Sequence, residues 1–376
     1  MEPTAGATLP ERRAYTTAAW IFYAVVVLEI LYMISPAALY FYAGYGPGLN
    51  ALRTRPATAW LTTFFLPHFS RTSSPVLNAL PVVAWVLILA GLLVFAVAFV
   101  QVYAAKLRGR GPVTGGLYAF VRHPQYAALA GLGLGTALIW PRFIVLLAYT
   151  TMLFLYGMLA AAEEERCRAR FGAPYAEYLG RTGRFLPRGI EARWPRLLPS
   201  RPAARRVALA LGYVGALVGV VLAGRALQAY ALSTVAARFA DEVAVLSPAP
   251  LSADELGAAY RLARAADGAG GRRIVYVVPE EWHLPDLPLE AWWTDPARAG
   301  RGGHRTPSRF DRTRYKVLFA RPRLHDPEAR GRDLVRSAHG LDPVVVAHVD
   351  LAAGRLLGTE APPAHVVWGD IPTPLF

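Results

Sequence analysis

Residues 122–165 read RHPQYAALAGLGLGTALIWPRFIVLLAYTTMLFLYGMLAAAEEE. Two apolar runs, 124–140 and 143–162, meet at a Trp140-Pro141-Arg142 step that marks a tight bend. As helices, the first is about 17 residues, or roughly 25 Å, and the second about 20 residues, or roughly 30 Å. The stretch therefore reads as a helical hairpin whose open ends come back to one level. Pro124 suits the first helical position, where its missing N–H would be unpaired anyway, and it biases His123 toward an extended conformation. Arg122 and His123 then stand just outside a helix N-terminus, where free N–H groups and the helix dipole favour an anion such as a carboxylate. Tyr126 can point back over the same place. The return helix brings Glu163, Glu164 and Glu165 to that depth, so residues far apart in sequence become neighbours.

Outward from the hairpin, the chain is that of a membrane protein. Of its 376 residues, 54% are hydrophobic and only 18% charged, and the mean hydropathy is positive. Runs at 18–43, 81–105, 143–162 and 207–231 meet or approach the roughly 20 residues that cross a hydrocarbon core, and 124–140 falls slightly short. The first is too long for a signal-peptide core and lacks a small-residue cleavage site after it, so it reads as a retained span. Residues 60–69 read as a short interfacial helix. Glu29 lies inside the first span, where it must find a polar neighbour or line a path.

The net charge of +14 does not point to nucleic acid, because the arginines gather beside apolar runs with no aromatic-interleaved basic patch. Anionic lipid and insertion orientation explain them better. Arg12 and Arg13 precede the first span, and Lys106, Arg108, Arg110 and Arg122 follow the second. Arg166, Arg168, Arg170, Arg181, Arg184, Arg188, Arg193, Arg196, Arg201, Arg205 and Arg206 lie between the fourth and fifth. All fall on the cytoplasmic face if five spans alternate from a cytoplasmic N-terminus; Arg53, Arg55 and Arg71 are the minority outside.

The expected fold is thus an all-α polytopic membrane domain of about five transmembrane helices, including the hairpin, followed by a small α+β soluble domain. Residues 1–206 form the membrane core, with cytoplasmic segments 107–126 and 163–187, then 207–231 an additional span and 232–376 the soluble part. In that part Ser252-Ala253-Asp254-Glu255 is a capping box opening a helix to about residue 266, and 273–278, 316–320 and 344–351 read as strands. The alternation puts this domain outside the cytoplasm, and the heavy use of Ala, Arg, Gly and Pro suggests a bacterial inner membrane. With Cys167 alone no intrachain disulfide forms; the thiol reads as inert. The tail histidines have no metal-ligand spacing.

Beyond the glutamates, Gly172 reads as a helix C-cap. Pro174 restarts a short helix with Tyr175 and Tyr178 on one face, a candidate lid with Arg184 close behind. The order Gly-x-Tyr (ending at Tyr118), Arg122-His123-Pro124-x-Tyr126, Glu163-Glu164, Phe171-Gly172-x-x-Tyr175-x-x-Tyr178, Arg184-Phe185-Leu186-Pro187 resembles the isoprenylcysteine carboxyl methyltransferase family and its phospholipid methyltransferase relatives, over residues 113–187. The resemblance implies an all-helical membrane methyltransferase that holds S-adenosylmethionine near the cytosolic face and takes its acceptor from the bilayer. It implies that His123, Tyr126 and Glu163 hold the cofactor, with Tyr118, Pro124, Tyr175 and Tyr178 lining its site. Arg122 and Glu164 would orient the acceptor, with Arg184 beside them as the third catalytic candidate. The chemistry agrees: the cofactor's carboxylate, ammonium and sulfonium need a cation, an acid and aromatic contacts. The acceptor is then a lipophilic carboxylate, needing no base, or a lipophilic amine, for which Glu164 is the nearest base.

Other readings compete. Arg122 and His123 alone would be ordinary juxtamembrane residues, and Gly131 with Gly135 is a small-xxx-small helix-packing pattern or else a slot for a cofactor. A nicotinamide-dependent membrane reductase of the sterol-reductase kind shares the His-Pro-x-Tyr element. A membrane anchor with a working tail is the non-enzymatic alternative.

Overall fold

Ser74 and Pro75 open the longest apolar helix: the Ser74 hydroxyl accepts from Leu77 N at 3.4 Å, and Pro75 takes the first helical position. A computed structural model of the chain describes residues 51–52, 55–68, 70–109, 111–193, 199, 201–268, 270–282, 309–362 and 375–376. Its helical part comprises α1 (Pro56–Ala59), α2 (Pro75–Leu107), α3 (Pro124–Ile139), α4 (Phe143–Phe171), α5 (Ala173–Arg181), α6 (Arg188–Glu191) and α7 (Pro202–Thr234). Three of these, α2, α4 and α7, are long and apolar enough to cross a membrane. The first expected span, with Glu29, lies outside the described residues. The 16-residue α3 is the short partner expected from 124–140.

α2 and α3 approach very closely, and glycine allows it. A Cβ on Gly135 would come within 2.6 Å of the Ala84 carbonyl, and one on Gly91 within 2.8 Å of the Ala128 carbonyl. A Cβ on Gly131 would meet nothing. Of the sequence pair Gly131 and Gly135, only Gly135 is a packing glycine, and its partner in the close approach is Gly91 on the other helix.

The bend between α3 and α4 is held by a strap, not by the interfacial helix expected at 60–69. α1 runs into a 3-10 turn at Trp60–Thr62, where the Thr62 and Thr63 hydroxyls bond back to the carbonyls of Ala59 and Trp60 at 2.8 Å each. From Thr63 onward the backbone pairs with the bend instead of with itself. Phe65 N donates to Pro141 O at 2.8 Å and Phe143 N to Thr63 O at 3.2 Å. The Arg142 guanidinium lies 4.3 Å over the Phe64 ring and donates to Thr62 O at 2.5 Å. These tertiary bonds override the helical pattern.

α7 runs antiparallel to α4. Near one end Gly224 lies against the Phe143 ring, and further along Tyr213 and Thr151 share a 2.9 Å hydrogen bond. After it come β1 (Ala236–Phe239), β2 (Val243–Ser247), α8 (Ala253–Ala263), β3 (Arg273–Pro279), β4 (Arg314–Leu324), α9 (Arg332–Ser337), β5 (Ala338–Asp350) and β6 (Arg355–Glu360). The six strands form one sheet in sequence order, with β2 and β3 parallel and the other neighbours antiparallel. The capping box forms as expected: Glu255 N to Ser252 Oγ at 3.1 Å and Ser252 N to Glu255 Oε2 at 2.7 Å. α8 covers a core that includes Leu246, Leu256, Ile274 and Phe319. The three expected strands are β3, β4 and β5, the last two longer than expected.

The sheet is fastened at the bend of the hairpin. Arg71 N donates to Pro248 O and Ser73 N to Thr234 O, both at 2.8 Å. Gln228 on α7 reaches the strap, donating to Phe64 O at 2.9 Å.

Replacing Gly135 by Ala should cost about 1–3 kcal/mol of overpacking. Gly131→Ala should be neutral or stabilising by up to about 1 kcal/mol. Thermal unfolding in detergent measures both; equal effects would mean that the close approach at Gly135 does not exist.

Candidate active site

His123 is the N-cap of α3 (φ −125°, ψ 63°) and Pro124 its first residue. At the other end of the hairpin, two lengths decide where the acids arrive. α3 contributes roughly 24 Å, and two further residues in extended conformation about 7 Å more, giving about 31 Å from the bend to Arg122. Residues 143–164 of α4 measure roughly 33 Å. The two ends therefore level within half a helical turn.

There the three glutamates divide. The Glu164 side chain is only 8% exposed and sits among three cationic groups. Arg122 Nε donates to its Oε1 at 2.8 Å. Arg184 donates twice, Nε to Oε1 at 3.0 Å and Nη2 to Oε2 at 2.5 Å. His123 Nε2 stands 3.3 Å from Oε1, close enough for an ion pair though not aligned as a hydrogen bond. The Glu163 side chain is 41% exposed. It accepts the Tyr126 hydroxyl at 2.6 Å and lies 3.5 Å from His123 Nδ1. Glu165, 72% exposed, pairs among the described residues only with Arg168 along its own helix at 3.3 Å.

Arg184 reaches the site through backbone pairing. Residues Val121 and Gly183 form a parallel bridge, and Arg122 N and His123 N donate to the carbonyls of Gly183 and Arg184 at 2.8 and 3.0 Å. Arg122 also caps the end of α5, donating through Nη1 to Leu179 O at 3.1 Å and to Thr182 O. The turn out of α4 is the one expected: Gly172 takes φ 62°, a conformation that favours glycine.

The aromatic residues form two groups. The His123 ring stacks on Tyr126 at 5.6 Å, Tyr126 on Tyr156 at 4.9 Å, and Phe185 closes the other side of His123 at 5.9 Å. Tyr118, Tyr175 and Tyr178 are buried beneath. The Tyr178 hydroxyl donates to Tyr118 O at 2.6 Å, which fastens α5 under the 3-10 turn Gly116–Ala119. Tyr175 packs 5.6 Å from Tyr178 and beside Cys167. All ten sequence-derived residues are thus in one region, but in different situations: Glu163 exposed, with Tyr126 and His123 against it, Arg122 and Arg184 paired with the buried Glu164, and Tyr118, Pro124, Tyr175 and Tyr178 buried around them.

Sequence reasoning missed three contributors. Gln101 of α2 accepts Leu117 N at 3.3 Å, Glu191 of α6 accepts Arg184 N, and Thr182 supplies a carbonyl. Gly116 was the available signal for the first, since at φ 61° a Cβ there would collide with the Gln101 side chain.

Electrostatics follow from this arrangement. Burial works against a charged His123, but the Glu163 and Glu164 carboxylates outweigh it and raise the imidazole pKa above its ordinary value. Hydrogen bonding to Glu164 raises Arg184, against the cost of its burial. Burial raises Tyr118, with Tyr178 and Glu163 adding to it. Glu164, held by two guanidinium groups, is a poor base. Glu163 is the acid with room for a further donor.

The phospholipid methyltransferase family model matches residues 76–173. The match supports a membrane methyltransferase. The matched segment runs from the second residue of α2 through α4 and carries Tyr118, Arg122, His123, Pro124, Tyr126, Glu163 and Glu164; Tyr175, Tyr178 and Arg184, which the sequence motifs also name, lie beyond it. No curated protein and no solved structure matches the chain.

Glu164→Ala leaves Arg122 and Arg184 without their carboxylate and should destabilise by about 3–5 kcal/mol, against roughly 0–1 kcal/mol for Glu165→Ala, read by thermal unfolding. His123 has a folded pKa above its unfolded one. Its contribution is therefore complete below the ordinary histidine value of about 6.5 and is lost as pH rises through the elevated value. A melting-temperature profile should fall across that window and flatten there in His123→Gln.

Proposed function

We propose that the chain transfers a methyl group from S-adenosylmethionine to a lipophilic acceptor at the cytoplasmic face of the membrane. The observation that carries this reading is the division of the adjacent acids at the open end of the hairpin: Glu164 neutralised by Arg122 and Arg184, Glu163 open beside His123 and Tyr126. The donor set fits the cofactor. Glu163 offers a carboxylate to an ammonium, Arg184, a third exposed, offers N–H groups to a carboxylate, and Tyr126 and Phe185 offer ring faces to a sulfonium. Bound there, the cofactor supplies an electrophilic methyl group, and transfer forms a carbon–oxygen or carbon–nitrogen bond as the carbon–sulfur bond breaks and a neutral thioether leaves.

The protein's own work is positioning and exclusion of water. Arg122 fixes the depth of Glu164; the pair then holds α5 and Arg184 over the opening. A neighbouring groove of ≈ 460 Å³ between α2 and residues 111–115 is lined by Val100, Ala104 and Ala105, with Arg108 and Thr114 among its polar residues. It gives an acceptor with an apolar tail and a polar head a way in from the bilayer. The family match favours this chemistry over nicotinamide-dependent reduction.

The placement in the membrane rests on charge. Arg122, Arg168, Arg181, Arg184, Arg205 and Arg206 lie at the open end of the hairpin, and fewer arginines, Arg55, Arg71, Arg142 and Arg225 among them, at the bend. With residues 18–43 as a further span the bundle has five crossings, its open end faces the cytoplasm, and the sheet lies outside a bacterial inner membrane.

Membranes containing the chain, given S-adenosylmethionine labelled in its methyl group, should pass label into an organic-extractable acceptor. Glu163→Gln should lower the rate at least about tenfold, the worth of one hydrogen bond to a charged group. Label that stays with the cofactor, or a Glu163→Gln rate equal to wild type, sinks the proposal. Base lability of the labelled product distinguishes a carboxyl ester from a methylated amine.

A further inference from the structure

At the bend end of the bundle, Arg225 is a cation without a carboxylate. The 18-residue apolar window of α7 fits residues 207–224, so Arg225 follows its last residue. It stands roughly 28 Å along the helix from Arg206, about the thickness of a hydrocarbon core. These two arginines mark the two interfaces. The half-buried Arg225 guanidinium donates to Gln228 Oε1 at 3.1 Å and lies over the rings of Phe143 and Trp60 at 4.7 and 5.7 Å. Among the described residues no acid pairs with it. The charged group that acts on it most is another cation, Arg336, itself paired with Asp333 at 3.2 Å.

Across from Arg225, the sheet contributes His325. A groove of ≈ 460 Å³ separates them, lined by Pro56, Ala57, Trp60, Val221, Arg225 and His325, a volume within the range of small-ligand sites, about 300–1,000 Å³. His325 packs against His339 with the rings tilted and their centroids 4.6 Å apart, and the buried Nδ1 of His339 has no hydrogen-bond partner among the described residues. Burial first, and then the charge of Arg225, hold His325 below its ordinary pKa. Burial, His325 and Arg323 do the same to His339. The nearby acids Asp333 and Asp342 are taken by Arg336 and Arg323. A half-buried arginine faced across the groove by an imidazole, with no acid in the lining, is arranged for an anion.

The helix below says which anion. Leu222, Val218, Val214 and Leu211 stand three, seven, eleven and fourteen positions before Arg225, so they share its face, and all four are exposed. An apolar stripe leads from the groove down into the bilayer. We propose that this groove binds the phosphate of an anionic phospholipid in the leaflet opposite the Glu164 site, with Arg225 and His325 on the headgroup and the α7 stripe along an acyl chain. A zwitterionic lipid fits less well, because the lining offers no carboxylate to its ammonium and the Trp60 ring is already under Arg225.

Binding is read without any methyl donor, on the full chain purified in nonionic detergent, by the rise in melting temperature with short-chain phosphatidylglycerol, short-chain phosphatidylcholine or inorganic phosphate. Phosphatidylglycerol should stabilise the wild type more than phosphatidylcholine does. Arg225→Gln should weaken its binding about tenfold, and His325→Gln, at an exposed position, a few-fold. Phosphate should give no comparable shift at equal concentration. Equal binding of the two lipids, or binding unchanged in both variants, overturns the site. Phosphate acting as strongly as phosphatidylglycerol overturns the lipid and leaves a soluble anion. Should Arg225→Gln fail to fold, the His325→Gln result decides alone.

Discussion

A carboxylate in a poorly hydrated place must be compensated, and the helical domain is organised around compensating one. Glu164 is almost wholly buried, and a bare carboxylate there would cost several kcal/mol. Its partners come from two separate segments: Arg122 and His123 from the approach to α3, Arg184 from the chain after α5. Each could reach it only if the hairpin closes to the right depth and residues 121–123 lie alongside 183–184. The cluster therefore selects one arrangement of α3, α4 and α5 from the many that apolar packing in lipid would tolerate. Lipid tails offer helices little preference among greasy faces, so a polar cluster at the hairpin's mouth is where specificity must come from.

Compensating Glu164 also defines what Glu163 can do. Adjacent residues on a helix point about 100° apart, so one acid of the pair faces inward and the other faces the opening. Were both buried, their mutual repulsion would protonate one of them. With Glu164 neutralised by arginines, His123 lies between the two acids, 3.3 Å from Glu164 and 3.5 Å from Glu163, and the exposed Glu163 carboxylate stands beside an imidazole and aromatic rings. A single-sign pocket would repel one end of a zwitterionic ligand; this one does not.

Much of this is legible in the sequence because lipid imposes length. The runs 124–140 and 143–162 have lengths that convert to ångströms, and that conversion by itself brings Arg122, His123, Glu163 and Glu164 to one level. Gly172 and Pro174 mark the break between α4 and α5, and Ser252 with Glu255 marks the start of α8. What cannot be read depends on contacts with no local pattern. The strap at 60–66 looks helical by composition, yet Phe65 N and Thr63 O pair with the hairpin bend. β1 is only four residues. β6 is exposed along its whole length, so it has no apolar alternation to announce it. Gln101 and Glu191 are ordinary polar residues whose roles come from what stands opposite. Gly131 shows the converse: the right spacing from Gly135, and nothing packed against it.

The hairpin is clamped at both ends, and the clamps differ in kind. At the mouth the clamp is ionic, and its strength depends on the protonation of His123 and on whatever ligand joins Glu163. At the bend it is made of backbone hydrogen bonds and aromatic contacts among Trp60, Phe64, Phe65, His68, Trp140 and Phe143. The sheet is tied to this second clamp through Arg71, Ser73 and Gln228. A charged ligand at the mouth can compete with the ionic contacts there, whereas the bend is held by backbone hydrogen bonds that it does not touch. The sheet, fixed to the bend, then need not move when the site opens. The helices between them are rods about 24 Å and 44 Å long, so a small opening at the mouth requires only a slight change of angle at the bend.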